Sequence, residues 1–348
     1  MPDGWDFSNN KRSRSVLSPS GSDLPPLLTY LLCGLCVALT LAWWGQDSLK
    51  GTPLYALGSF ANVPASEIWN GRYYGLFTAF FLHINIMHIA FNMMWFLQLG
   101  RLLERTLSPL VYVGFLLGAA LVGSCAELAF DGETGVGASG VVYAMFGLMW
   151  AGRGAFSEWR LAATRSNLNL FIGWGVFCLI GTWAHFMNIG NAAHFGGLLF
   201  GLCLGWLFFA PRRRPLAAIP LVLLAALCVL SLTWLPWSSS WNWHRAGKEY
   251  SHKRYSAALS DYQRALREGG EAAPLWNNIG LAWNGLAEEA DRRGDTKARD
   301  AAQAESDAAF AKSEALPAAK NEPEATAPTP EDDMKRLHDK MRNAPGKK

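Results

Sequence analysis

The chain has 348 residues, 51% hydrophobic and 17% charged, with a formal net charge of +3. That charge is too small to point to a nucleic-acid partner, and the charges crowd at the two ends around a long apolar middle. The length allows two domains. The six cysteines (Cys33, Cys36, Cys125, Cys178, Cys203 and Cys228) all lie in apolar runs and read as small buried hydrophobes. Cys33 and Cys36 form a CxxC without a second ligand pair, so neither a metal nor an organic cofactor is expected.

The polar start, MPDGWDFSNNKRSRS, lacks the short apolar core and small-residue cleavage site of a signal peptide. Residues 1–25 are therefore expected to form a disordered cytoplasmic segment. A spanning helix needs about 20 mostly apolar residues. Seven runs qualify as candidates: 26–45, 79–100, 108–129, 139–153, 169–187, 193–210 and 216–235. The fourth is short but is flanked by clear spans. The expected fold is an all-α, polytopic membrane helical bundle.

Basic residues in short loops set the orientation of such a bundle. Lys11, Arg12 and Arg14 precede the first span; Arg101 and Arg105 follow the second, Arg153, Arg160 and Arg165 the fourth, and Arg212, Arg213 and Arg214 the sixth. With the N-terminus in the cytoplasm all of them fall inside, and the region after the seventh span falls outside. The connection 46–76 is then external and carries Trp69, Arg72, Tyr73 and Tyr74, residues suited to a membrane interface.

From Trp241 the composition changes to that of soluble helix. Tyr255, Ala258, Tyr262 and Ala265 are followed by Pro274, Trp276, Ile279, Gly280 and Trp283. This resembles a tetratricopeptide repeat, in which small and aromatic residues let paired helices pack closely; an ordinary helical hairpin is the alternative. The EEADRRGDTKARD insertion stretches a second pair running on to Phe310 and Leu316. The expected divisions are the six spans at 26–210, the seventh span with its flanks at 211–240, a repeat-like domain at 241–317, and a disordered Ala/Pro/Lys/Glu tail at 318–348.

Strongly polar side chains inside a span are costly and usually face the bundle interior or a water-filled cavity. The second span opens FLHINIMHIAFNMMWF, the fourth follows Gly137-Ala138 with Ser139-Gly140, and the sixth opens NAAHFGGLLFGLCLG. His88 and Asn92 are four apart and share a helix face; His83 lies nearer the external end. All three spans run inward, so His88, Ser139 and His194 lie at similar depth in the outer half of the bilayer. Gly197, Gly201 and Gly205 follow His194 at four-residue steps, a stripe on which another helix backbone can pack closely. Ser139 and His194 on such a pair could hydrogen-bond as nucleophile and base. Tyr143, on the face of Ser139, could pack against the imidazole. The amides at the start of the Ser139 helix, with His88 and Asn92, could stabilise an oxyanion. GASGV is not the GxSxG elbow of soluble hydrolases, which needs a preceding strand.

HINIMHIAFN, GASGVVYAMFG and AHFGGLLFG, in this order on these spans, resemble the rhomboid intramembrane serine proteases. The resemblance covers about 75–210. It implies a six-helix core, a Ser139–His194 dyad without an aspartate, and an oxyanion hole from His88, Asn92 and the Ser139 amide. It also implies a Tyr143 ring stacked on His194, Phe91 beside the gate for substrate, and supporting places for Gly137 and His83. The seventh span looks like the six-plus-one arrangement of some rhomboids, and the repeat-like domain lies outside the common core. The family often carries a Trp-Arg pair three residues before the threonine ahead of the second span; here Gly75 stands where that arginine would and Arg72 lies one turn earlier. The implied partners are transmembrane substrates and the lipid bilayer, with no nucleic acid; helix-pair repeats commonly present a peptide-binding face, so the repeat-like domain is expected to dock substrate or a protein partner, and the short loops and compact core suggest a bacterial plasma membrane. Two other readings exist. A silent rhomboid-like client-binding protein predicts loss of the serine or histidine, and both are present. A transporter predicts acids deep in the spans, where Glu127 is the only notable one.

Overall fold

The computed structural model describes residues 25–316 apart from residues 46, 47, 49, 51 and 188. The terminal segments expected to be disordered lie outside the described residues, except Pro25. Every regular element among the described residues is helical. Contacts divide the chain between Trp234 and Leu235 into two compact units, so the compositional break at Trp241 falls inside the second.

In the first unit, α1 (Leu27–Trp44) is followed by the short helices α2 (Pro53–Ala61), α3 (Ala65–Trp69) and α4 (Gly75–Thr78), the last running into a 3-10 turn at Ala79–Phe81. The long helices are α5 (Ile86–Thr106), α6 (Pro109–Asp131), α7 (Ser139–Gly152), α9 (Arg165–Trp183), α10 (Asn191–Phe209) and α11 (Arg214–Thr233), with a single turn, α8 (Trp159–Ala162), between α7 and α9. Among the described residues, four helical stretches are long and apolar enough to cross a membrane: α1, α6, α10 and 211–233, the last being α11 with the turn before it. The pair 75–81 and α5 makes a fifth if it is counted as one span. The 14-residue α7 is shorter.

The second apolar run is not the continuous helix expected over 79–100. It bends by 98° between Phe81 and Ile86. Leu82 is extended, and the Asn85 side chain accepts from His88 N at 2.8 Å, which starts a new helix there. Asn is well suited to this because its side-chain oxygen satisfies an amide that has no intrahelical acceptor. His83 therefore sits in the break and not on the helix.

Several buried polar groups in the apolar unit are paired across the bundle, since an unpaired one is costly in a low-dielectric interior. Glu104 of α5 accepts from Leu28 N, Thr29 N and Thr29 Oγ1 at 2.9, 2.8 and 2.6 Å, closing the start of α1. Ser124 Oγ donates to Leu76 O, and Trp69 Nε1 to Ser231 O. Arg72 pairs with Glu67 at 3.0 Å.

The tightest packing joins α7 to α10. A Cβ added at Gly197 would stand 2.1 Å from Gly140 O, and one at Gly201 1.9 Å from Ala144 O. At Gly205 it would meet Ala151 Cβ at 2.6 Å. The stripe read in the sequence is therefore a line of backbone-to-backbone contact on which no larger residue fits.

The second unit contains α12 (Ser239–Ser251), α13 (Tyr255–Gly269), α14 (Ala273–Arg292) and α15 (Thr296–Ala315). Its core takes Ala246, Ala258, Tyr262, Ala265, Leu275, Ile279, Ala282 and Ala309. Gly280 receives the Phe310 ring, and Ser306 Oγ donates to Gly280 O at 2.9 Å. The EEADRRGDTKARD stretch lengthens α14 and α15 to 20 residues each, with Gly294 at φ +74° in the turn between them.

The seam predicts a contrast between two glycines. Gly201→Val should destabilise the first unit by about 1–3 kcal/mol through overpacking. Gly114→Ala, where an added Cβ meets nothing within 4 Å, should leave stability unchanged or slightly raised. Thermal unfolding of both variants in detergent measures the difference.

Candidate active site

Ser139 is the first residue of α7 and His194 is the fourth of α10. The glycine seam between these helices brings Ser139 Oγ to 2.7 Å from His194 Nε2. His194 is 4% exposed, and its Nδ1 has no hydrogen-bond partner among the described residues. Among the described residues no carboxylate completes a triad there. With Nε2 accepting the serine proton, the ring proton sits on Nδ1.

The Tyr143 ring stacks on His194, with centroids 4.7 Å apart and planes 16° off parallel. Its hydroxyl donates to Phe171 O at 2.9 Å. Tyr143 thus braces the imidazole from α7 while being held by α9.

The loop ahead of Ser139 is pinned by the bent segment. Gly137 N donates to Ala79 O at 2.9 Å and Ala138 N to His83 Nε2 at 3.3 Å. His83 is fully buried, and its Nδ1 lies 3.4 Å from Thr40 Oγ1, which donates to Phe81 O. His83 therefore braces the loop and touches neither Ser139 nor His194 by a hydrogen bond. Gly137 has φ +120°, and a Cβ there would stand 2.8 Å from His88 Nε2. Both the backbone and the imidazole require glycine. His88 Nδ1 accepts from Ile84 N at 3.4 Å, which places the ring proton on Nε2, toward that loop.

Asn92 is 6% exposed and donates from Nδ2 to His88 O, one helical turn back. An amide carries two N–H groups, so one donor remains. The Ser139 amide, at the first position of α7, has no intrahelical acceptor. Ser139 N and the second N–H of Asn92 are thus left without an intrahelical acceptor, and His88 Nε2 lies beside the Gly137 loop that leads to Ser139.

Phe91 stacks on Trp174 across α5 and α9, with centroids 5.5 Å apart and planes 10° off parallel. Both rings are exposed. Sequence reading named Phe91 and missed Trp174, one of many apolar residues on α9; only the contact singles it out. It also gave Glu127 no part in the site, yet Glu127 Oε2 accepts from Ala193 N beside His194.

A hydroxyl hydrogen-bonded to a buried imidazole is an arrangement compatible with acyl transfer. No group of three or more His, Cys, Asp or Glu able to hold a metal occurs among the described residues.

A family model described as Rhomboid domain matches residues 70–211. Among curated proteins, the Rhomboid protease GlpG of Serratia proteamaculans is 33% identical over 217 residues, 61% of this chain and 69% of that protein. That of Salmonella paratyphi A is 32% identical over 192 residues, 54% and 65% of the two chains. That of Yersinia pseudotuberculosis serotype I is 31% identical over 129 residues, 36% and 45%. The chain thus spans about two thirds of the first two relatives and less than half of the third.

Gly137→Ala tests the pinned loop. Reaction of Ser139 with a fluorophosphonate, followed by intact mass, should slow by about 10²-fold or more as the donors are displaced. Gly173→Ala, with nothing within 4 Å of an added Cβ, should react as wild type does.

Proposed function

The chain belongs to the rhomboid family, and on that premise we propose that it is an intramembrane serine protease that cuts transmembrane proteins near the external end of their spans. The observation that carries this reading is the 2.7 Å contact between Ser139 Oγ and His194 Nε2. Ser139 Oγ attacks the scissile carbonyl carbon as its proton passes to His194 Nε2. The tetrahedral oxyanion is held by the Ser139 amide, His88 Nε2–H and the second N–H of Asn92. His194 then gives the proton to the leaving amine, and an acyl ester remains on Ser139. Water, deprotonated by the same imidazole, attacks that ester, and Ser139 regains its proton as the acid product leaves. Tyr143 keeps the imidazole oriented through both half-reactions.

The short α7 suits such chemistry. Fourteen residues rise about 21 Å, less than the roughly 30 Å of a bilayer's apolar layer. With its far end at the inner surface, its Ser139 end stops below the outer one, where a water-filled cavity can reach it. A substrate helix hides its peptide bonds in its own hydrogen bonds. Substrates with Gly or Pro near the external end unwind most readily, and a small residue such as Ala is expected before the cut.

Entry is proposed between α5 and α9. Only Phe171, Gly175, Cys178 and Gly181 of α9 are buried, a narrow stripe, and the Phe91–Trp174 stack joins its middle to α5. The N-terminus is assigned to the cytoplasm and the second unit to the outside of a bacterial plasma membrane, as the arginine-rich loops indicate. Seven spans, six of them forming the core, complete the assignment. The second unit, read as tetratricopeptide-like, is proposed to dock substrate or a protein partner.

Two measurements test this reading. Wild type in liposomes should cut a transmembrane reporter with a helix-breaking external end, and Ser139→Ala should not; equal cutting by both removes Ser139 from the mechanism. Trp174→Ala removes a stack worth about 0.5–1.5 kcal/mol. If that stack holds the entrance shut, cleavage should rise by about two- to tenfold, whereas unchanged or lowered cleavage removes the stack from the entry route.

A further inference from the structure

We infer that Glu127 is a positioning residue of this site, whose carboxyl caps the first turn of α10 and fixes the register of His194 against Ser139. This rests on the protease reading above. Glu127 lies in the apolar helix α6 and is 3% exposed, a costly place for an ionisable side chain unless it has a task. Its Oε2 accepts from Ala193 N at 2.8 Å. Ala193 is the third residue of α10 and the immediate neighbour of His194.

That helix start has no cap of its own. The residue before it is Gly190, which has no side chain to offer. Asn191 turns its amide away, donating from Nδ2 to Thr182 Oγ1 and Ile189 O. The first amides of a helix need acceptors from outside, and here a neighbouring helix supplies one.

The same side chain is clasped by the loops leading into both reacting residues. A Cβ on Gly190 would stand 3.2 Å from the Glu127 Cδ and Oε2. A Cβ on Gly135, four residues before Ser139, would stand 3.1 Å from its Cγ. Both loops rest on one carboxyl-bearing side chain.

The division of labour follows from the shape of the seam. Gly197, Gly201 and Gly205 give α10 a smooth face, which sets how close it comes to α7. A smooth face resists sliding along the axis only weakly. Glu127 contacts α10 at its end, where an axial shift carries His194 away from Ser139. A hydrogen bond of 2.7 Å does not survive a shift of about 1 Å, and a misplacement of that size costs about 10²-fold in rate.

The test uses the full chain in liposomes, with Glu127→Ala, Glu127→Gln and Gly190→Ala, each checked for folding by thermal unfolding. For Glu127→Ala, kcat should fall by about 10²-fold with KM within about twofold. Glu127→Gln keeps an acceptor oxygen and should retain kcat within about tenfold of wild type. Gly190→Ala presses a methyl into the carboxyl and should lower kcat with little change in KM. Hydrogen exchange of the amides of 191–196 should quicken in Glu127→Ala and stay slow in Glu127→Gln. An unchanged kcat in Glu127→Ala, a loss confined to KM, or a Gln variant as impaired as Ala would overturn the assignment. If Glu127→Ala does not fold, the Gln and Gly190→Ala variants decide by the same criteria. If wild type cuts nothing, the protease reading fails separately and exchange alone decides: quickening in Ala supports the cap, and its absence refutes it.

Discussion

The approach of α7 to α10, backbone against backbone along Gly197, Gly201 and Gly205, is the constraint on which the rest of the first unit depends. Ordinary helix pairs stand about 8–10 Å apart with side chains between their axes. Here a Cβ at Gly201 would fall 1.9 Å from Ala144 O, so the helices touch where most would be spaced. In an apolar solvent, where burial of apolar surface gives no net drive, such close van der Waals packing is a main source of helix association. The same contact thus supplies stability and brings the Ser139 hydroxyl to the His194 imidazole.

Around that seam the site is built from interruptions of regular structure. The second apolar run breaks at 82–85, which frees His83 to hold Ala138 N and sets Asn85 to begin α5. The loop before α7 turns through Gly137 at φ +120° and lets His88 approach. The helix that carries His194 begins at a bare glycine and takes its cap from Glu127. Each break exposes backbone amides: at 82–85 they are answered locally by Asn85 and His88, and before α7 and at the start of α10 by His83 and Glu127 from distant parts of the chain. These long-range hydrogen bonds are what the apolar surroundings demand, and they fix the loops on which the proposed chemistry depends.

The readable part of this was the local part. Apolar runs of spanning length, the spacing of His88 and Asn92, and the four-residue glycine period are one-dimensional signals; four of the seven runs correspond to helices long and apolar enough to span, and the other two signals to contacts among the described residues. The pairing of Ser139 with His194 was inferred from a shared depth along three separate runs, a three-dimensional expectation that needed only helix direction. The break at 82–85 was missed because FLHINIMH is apolar enough to continue a helix, and only the capping by Asn85 marks the interruption. Trp174 was missed because α9 is rich in large apolar residues and a stacking partner on another helix leaves no trace in local spacing. Glu127 was seen as an isolated acid; that it meets the amide of Ala193, 66 residues away, follows from the packing of α6 on α10 and from no pattern in its own run.

The central claim is that one hydroxyl and one imidazole, held by the glycine seam, act together on a carbonyl carbon. A crystal structure after reaction with a peptidyl chloromethyl ketone tests it most directly, because that reagent reports both groups at once. The account predicts a single inhibitor bonded through its carbonyl carbon to Ser139 Oγ and through its methylene to His194 Nε2, with the oxygen turned toward Ser139 N, His88 Nε2 and Asn92 Nδ2. Alkylation of His88 in place of His194, or an inhibitor bonded to histidine with Ser139 left free, would contradict it.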